Sequence, residues 1–210
     1  FQNRADFLGI VRHFRRRGLG PMYGFNYPWM DTTARNVERL AAFVAAVWEV
    51  KQQLQFLQFA APLMLRNVHV RIELVGDFDP DSDYGKACLA AVSALPDESR
   101  ARVRFHGFVP DPERFYRAAD LTVLASRYEG LARAMIESLA CGVPMVSVDV
   151  SSAREMLEDE HTGLVVAHRD WRGLASAVLE LASEPERRRA MGVRGRKLAE
   201  RLFDAQTQIQ

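Results

Sequence analysis

Cysteine is nearly missing from this chain: Cys88 and Cys141 are the only two in 210 residues, and each falls inside a helical pattern. There is no CxxC and no Cys/His cluster, so nothing supports a zinc site. Both thiols are expected to be free and buried, in a reducing compartment. Net charge is nearly missing too: 28 Lys and Arg stand against 27 Asp and Glu. That balance gives no overall pull toward nucleic acid or an anionic membrane. The local exception, RHFRRRG at 12–18, reads first as a solvated basic helix end and second as a phosphate or anionic-surface contact. Long apolar runs are missing as well. The longest, LAAFVAAVWEV at 40–50, is too short to span a bilayer and runs into Lys51. The opening FQNRADFLGI is of mixed polarity, unlike a signal peptide. No internal repeat or low-complexity tract is present. A cytoplasmic, soluble chain is expected, with peripheral contact at the inner face of a membrane left open. The chain opens at Phe1 rather than methionine, which suits a fragment of a longer protein.

What remains is ordinary globular material, 48% apolar and 26% charged, enough for one domain with a real core. Residues 1–20 fit the pattern least and read as a linker or the remnant of a preceding region. Residues 21–204 form the domain and 205–210 a tail. Within the domain, strands and helices alternate. MYGFNYP (22–28) reads as a strand. Asp31 or Thr32 caps a helix through NVERLAAFVAAVWEVKQQL, and a second apolar piece, LQFLQFAAPLMLR, is interrupted by Pro62. Strands follow at HVRIELVG, VRFHG, DLTVLAS, PMVSVDV and TGLVV. Helices fall at KACLAAVSAL, after Asp111-Pro112-Glu113, at LARAMIESLAC with Gly142 as its C′ residue, at AREMLE with Ser152 and Glu155 as a capping box, over 169–181, and from about Ser183 onward. Short connections between alternating elements predict an α/β, Rossmann-like, doubly wound parallel sheet, with ligands at the carboxyl ends of its strands.

Two acidic features compete for the chemistry. The loop GDFDPDSDYG (76–85) offers Asp77, Asp79, Asp81 and Asp83. An EF-hand is excluded, because Ser82 stands where glycine is needed and Cys88 where a bidentate glutamate is needed. A divalent metal on Asp77 and Asp79 remains one reading; a solvated loop leading into a helix at Asp83 is the other. The second feature is SRYEGLARAMIESLACGVP (126–144), with Glu129 and Glu137 eight residues apart. A glycosidase pair needs carboxyls about 5 to 10 Å apart. Eight helical residues rise about 12 Å, so the hydrolase reading is poor. Glu129 is instead expected in the loop after DLTVLAS. There Gly130 allows close approach of a ligand, and the N–H groups of Gly130, Leu131 and Ala132 open a helix that suits phosphate. An isolated Glu137 would read as a residue on an exposed helix face.

The run E-G-L-A-R-A-M-I-E-S-L-A-C-G-V-P-M-V resembles the E-x7-E signature of retaining GT-B glycosyltransferases of family 4 (glycosyl transferases group 1), in their C-terminal, donor-binding domain. RNVERL resembles that family's lysine-bearing helix start, and RIELVGD its following strand and turn. VRFHGFVPDPERFYRAADLTVLASRYEG resembles the stretch leading into the motif, and HTGLVV with EPERRRAMGVRGR the family's close. Together these cover roughly residues 22–203.

The resemblance implies the C-terminal half of a GT-B fold, with a hydroxyl acceptor (sugar, lipid or protein) held by an N-terminal half absent from this chain. It implies transfer of a hexose from a nucleoside diphosphate sugar with retention, with no cofactor or metal, and no nucleic-acid partner. Glu129 would contact hydroxyls of the donor sugar, and Glu137 the ribose. The N–H groups of Gly130, Leu131 and Ala132 would meet the diphosphate, and backbone around Phe108 and Val109 would hold the base. Arg35 would stand for the family's phosphate-neutralising lysine. A Gly-Arg pair usual at the end of the first strand is replaced by Gly24-Phe25-Asn26, for which Arg127 or Arg133 could compensate. Residues 55–67 look like an insertion, and Ser151-Ser152 replaces a usual glycine pair. Three alternatives stand beside this: a non-catalytic or split nucleotide-sugar-binding subunit, a sugar-nucleotide epimerase of the same fold, and a metal-dependent transferase using the Asp77/Asp79 loop.

Overall fold

The computed structural model describes residues 40–45, 49–130, 132–150, 153–157 and 161–203, with 40–45 and 49 described by backbone alone. Six strands form one sheet: β1 (Leu40–Ala45), β2 (Val70–Val75), β3 (Val103–Gly107), β4 (Leu121–Leu124), β5 (Met145–Val148) and β6 (Gly163–Val166). Every pairing is parallel and the order is β3-β2-β1-β4-β5-β6. This is the doubly wound Rossmann order, as the alternation predicts. β4 and β5 are buried at every position. Strands covered by helices on both faces have no polar side to show.

The first crossover helix, α1, runs through three consecutive pieces, Gln53–Gln55, Phe56–Ala60 and Ala61–Met64. Phe56, Leu57, Ala60, Ala61 and Met64 form its fully buried stripe. The helices that follow are α2 (Asp83–Ser93), α3 (Asp97–Arg100), α4 (Glu113–Ala118), α5 (Arg133–Ala140), α6 (Ala153–Leu157), α7 (Trp171–Ser183) and α8 (Pro185–Phe203).

Three expectations are corrected. The helix expected from Asp31 or Thr32 is a strand over Leu40–Ala45. A six-residue apolar run satisfies either period, and here parallel pairing to β2 and β4 decides. Pro62 does not interrupt the second apolar piece, and residues 55–67 hold most of the β1–β2 crossover helix rather than an insertion. The backbone widens to a π turn over Phe56–Ala60 just before the proline, which accommodates the ring and its missing N–H. The expected strand at 22–28, the basic run at 12–18 and Ser151-Ser152 lie outside the described residues.

α8 lies against the end of α5. Gly142 adopts φ +69 as the residue that ends α5. A Cβ on Gly192 would stand 2.1 Å from the carbonyl oxygen of Gly142, so only glycine permits this approach. Arg196 donates to the carbonyl of Ala140 across the same seam. Cys88 and Cys141 are free and buried; burial pushes their thiols up to about 11 and about 12, respectively. Such thiols are unreactive at neutral pH. Among the described residues no helix is long and apolar enough to cross a membrane.

Candidate functional site

In a doubly wound sheet the crevice opens where the strand order reverses, beyond the carboxyl ends of the two central strands. Here those are β1 and β4. Each sends one charged side chain to that point. Past β1 the backbone makes a short 3₁₀ turn, Glu49–Lys51. Past β4 comes the loop that carries Ser126 and Glu129. Arg127 N–H donates to the carbonyl of Val50 at 2.8 Å and ties the two loops together. Across this tie the Lys51 ammonium pairs with Glu129 Oε1. Ser126 Oγ donates to the same oxygen at 2.6 Å. Glu129 is only 7% exposed. A carboxylate so buried is sustained by the cation and the hydroxyl that face it. Glu129 thus lies in the loop after β4, as its place in the sequence predicts.

The loop then enters α5. Gly130 is exposed, and a Cβ there would meet no atom within 4 Å. Its surroundings are open space. Ala132 stands at the N-cap and contributes no side-chain cap, which leaves the opening amides of α5 to other acceptors. Leu131 lies outside the described residues. Met135, Ile136 and Leu139 hold α5 in the core, each contributing about 1.5–3 kcal/mol by burial. Ser138 explains the polar residue in that apolar run. Its hydroxyl shares a hydrogen bond with Thr122 Oγ1 of β4 at 2.6 Å and donates to the carbonyl of Val143 at 2.8 Å.

Glu137 is on the partly open side of α5, its side chain 17% exposed. Tyr116 of α4 donates its hydroxyl to Glu137 Oε2 at 3.0 Å. Arg133, one turn earlier, is 3.5 Å from Oε1. Burial raises the Glu137 pKa, and the Tyr116 hydrogen bond and Arg133 pull it part of the way back. Deep burial first, and then the Glu137 charge and this hydrogen bond, push the Tyr116 phenol well above its ordinary range. Arg133 is therefore a partner of Glu137 rather than a plain surface residue, although its side chain is 63% exposed.

The loop after β3 reaches the same edge of the sheet, two strands from β1, a lateral offset of roughly 10 Å. Phe108 is 73% exposed there. Val109 packs on a small cluster of Val75, Tyr116, Ala119, Cys141 and Val143. The acidic loop makes turn and cap contacts of its own. Asp79 Oδ1 accepts from Asp81 N–H, and Ser82 caps α2 at Gly85 N–H. Asp83 begins that helix. Among the described residues no group of three or more His, Cys, Asp or Glu is placed to hold a metal ion.

The site therefore brings together Glu129, Gly130, Ala132, Arg133 and Glu137, with Phe108 and Val109 on the neighbouring loop. Arg35, Gly24 and Asn26 lie outside the described residues. The expectation placed on them rested on a first strand at 22–28, but the central strand is Leu40–Ala45. Sequence reasoning missed Lys51, Ser126 and Tyr116. Lys51 was findable: once LAAFVA is read as a strand, it is the first lysine past the strand end.

The family profile described as "Glycosyl transferases group 1" matches residues 38–184. A D-inositol 3-phosphate glycosyltransferase from Thermobispora bispora is 30% identical over 158 residues, 73% of this chain and 37% of that enzyme. Among solved structures, sucrose-phosphate synthase from Thermosynechococcus elongatus is 27% identical with a TM-score of 0.67, covering 79% of this chain and 41% of the other. Anabaena HepE, in complex with UDP-glucose, shares the fold at 21% identity and a TM-score of 0.70, covering 97% of this chain and 50% of the other. This chain thus spans half or less of each of these proteins.

Proposed function

This chain belongs to the Glycosyl transferases group 1 family, and from that premise we propose that it is the donor-binding half of a retaining glycosyltransferase. The reaction moves a hexose from a nucleoside diphosphate sugar to a hydroxyl of a sugar, lipid or protein acceptor. The observation that carries the reading is the Lys51–Glu129 pair at the crevice between β1 and β4, beside the uncapped start of α5. Lys51 takes the role expected of Arg35. Its ammonium meets the diphosphate and offsets the charge that grows as the leaving group departs. The N–H groups of Gly130, Leu131 and Ala132, leading into α5, share that charge. Glu129, released from Lys51, accepts hydrogen bonds from the donor sugar. Glu137 accepts from the ribose, and the Phe108–Val109 backbone holds the base. Charge stabilisation and positioning carry the rate, with no metal, cofactor or protein nucleophile in the scheme. The acceptor lies on a second Rossmann-like half, consistent with relatives of which this chain covers 37% and 41%.

A nucleotide-sugar-binding subunit without its own chemistry is the second reading. It is favoured by the sequence Val44-Ala45-Ala46, which offers no Gly-Arg pair where β1 ends.

Calorimetry with UDP, GDP and ADP sugars tests the first reading, starting with UDP-glucose because a structural neighbour binds it. One nucleotide series is expected to bind, unchanged by EDTA, while the isolated chain turns over little donor. No binding by any series, or efficient transfer by this chain alone, would overturn it. With an acceptor half supplied, the product anomer seen by NMR decides retention.

A further inference from the structure

Glu137 is assigned to the ribose, and the role inferred for its neighbour Tyr116 rests on that assignment. A carboxylate that bridges two vicinal hydroxyls must present its plane at a fixed angle. Its own helix does not fix that angle, because a glutamate has three side-chain torsions. Among the described residues, Tyr116 and Arg133 meet the carboxylate. Arg133 approaches Oε1 at 3.5 Å from a side chain that is 63% exposed, a loose and screened contact. Tyr116 is different: it is 2% exposed, and its hydroxyl reaches Oε2 at 3.0 Å. Its ring is packed in a cluster with Val75, Ala119, Cys141 and Val143, against Val109 and Phe115. A phenol has few torsions, and packing holds these.

We propose that Tyr116 is the positioning residue of this site, orienting the Glu137 carboxylate toward the ribose and tying it to the loop after β3. Two observations meet in this one residue. Its hydroxyl occupies one lone pair of Oε2, while the exposed Arg133 stands off at Oε1. Its ring packs with Val109, so the loop assigned to the base and the carboxylate assigned to the ribose share one rigid strut. Base and ribose are covalently linked in the ligand, and the strut holds their two binding elements at a matching separation. Tyr116 touches no reacting atom; it acts through Glu137.

Tyr116→Phe removes the hydroxyl and keeps the ring, so a thermal melt close to wild type is expected. The probe is the nucleoside diphosphate, UDP, GDP or ADP, that the wild-type chain binds most tightly, together with its 2′-deoxy and 3′-deoxy analogues. Wild type should favour the ribonucleotide by about tenfold over each deoxy form. Tyr116→Phe should lower ribonucleotide affinity about five- to tenfold and leave the deoxy forms nearly unchanged, so that the preference collapses. A purely structural residue would weaken all three ligands alike, and that outcome overturns the proposal. Unchanged affinity overturns it as well.

The pH profile gives an independent reading. Around Glu137 the titratable and charged groups are Tyr116 from α4, Arg133 from α5 and Cys141 just past the end of α5. Glu113, Arg117 and Arg196 lie around Cys141. The hydroxyl favours the ionised carboxylate, so its loss should move the acid limb of nucleotide binding to higher pH. Glu137→Gln separates the two claims. If it binds ribonucleotide like wild type, the ribose assignment falls and Tyr116 with it. If it weakens binding while Tyr116→Phe does not, only the positioning role falls.

Discussion

Glu129 and Glu137 are eight residues apart in one motif, yet they occupy different physical settings. Glu129 is in a loop, almost fully buried, and faces a cation from the 3₁₀ turn past β1. Glu137 is on a helix, partly open, and its closest partner is a neutral hydroxyl. The first is held by a contact that joins β1 to β4. The second is held by packing of α4 and α8 around α5. A symmetrical pattern in the sequence therefore encodes an asymmetrical site: one carboxylate paired with a cation across two loops, the other set in a packed frame.

The largest effect is expected on the Glu129 side. Lys51→Ala removes the cation from the crevice and should weaken nucleoside diphosphate binding about 10- to 100-fold, measured by calorimetry. It also leaves Glu129 buried without its counter-charge and should lower unfolding stability by about 2 kcal/mol in urea, less than for a fully buried pair because Lys51 is 27% exposed. Adding Glu129→Gln to Lys51→Ala should restore most of the stability but not the binding. If Lys51→Ala leaves both unchanged, the two glutamates are not in the distinct settings described.

The next test concerns the Glu137 side. Gly192→Ala drives a Cβ toward the Gly142 carbonyl and should cost about 1–3 kcal/mol by overpacking at the end of α5. Retained stability in a chemical melt would show that α8 does not seat α5 this closely.

A smaller effect comes from protonation. The Glu137 pKa is raised in the fold by burial, so the folded state binds the proton more tightly than the unfolded chain. The stability this brings is present below the unfolded pKa and is lost as pH rises through the folded value. Glu137→Gln should therefore melt higher than wild type at pH 8. The gap should close toward pH 4. A gap of the same size at both pH values contradicts the burial argument.

The smallest effect belongs beside Lys51. Gln52 holds φ +57 without being glycine, so Gln52→Gly should stabilise the fold by about 0.5 kcal/mol, read from the urea midpoint. No gain would mean that contacts of the buried Gln52 side chain outweigh the strain.

Much of the fold is legible in the residues alone. VRFHG, TGLVV, the glycine ending α5 and the loop position of Glu129 all follow from local pattern. The failures have physical causes. LAAFVA is apolar at nearly every position, and such a run carries no period; only its neighbours in the sheet make it a strand. With LAAFVA read as helix, the first strand falls at 22–28; as a strand over Leu40–Ala45 it brings Glu49-Val50-Lys51 to the sheet's carboxyl edge. Pro62 suggested a break because a π turn leaves no signature in residue types. Ser126 and Tyr116 reach their glutamates through hydroxyls, and no spacing rule reports where a hydroxyl points.

The central claim is a division of labour between the two glutamates, and one calorimetric series tests it most directly. A nucleoside diphosphate and its sugar conjugate are titrated into wild type, Glu129→Gln and Glu137→Gln. The account predicts that Glu137→Gln weakens both ligands by a similar factor, about tenfold, through the shared ribose. It predicts that Glu129→Gln weakens the sugar conjugate selectively. Equal losses for both ligands in both variants, or the reverse pattern, would contradict it.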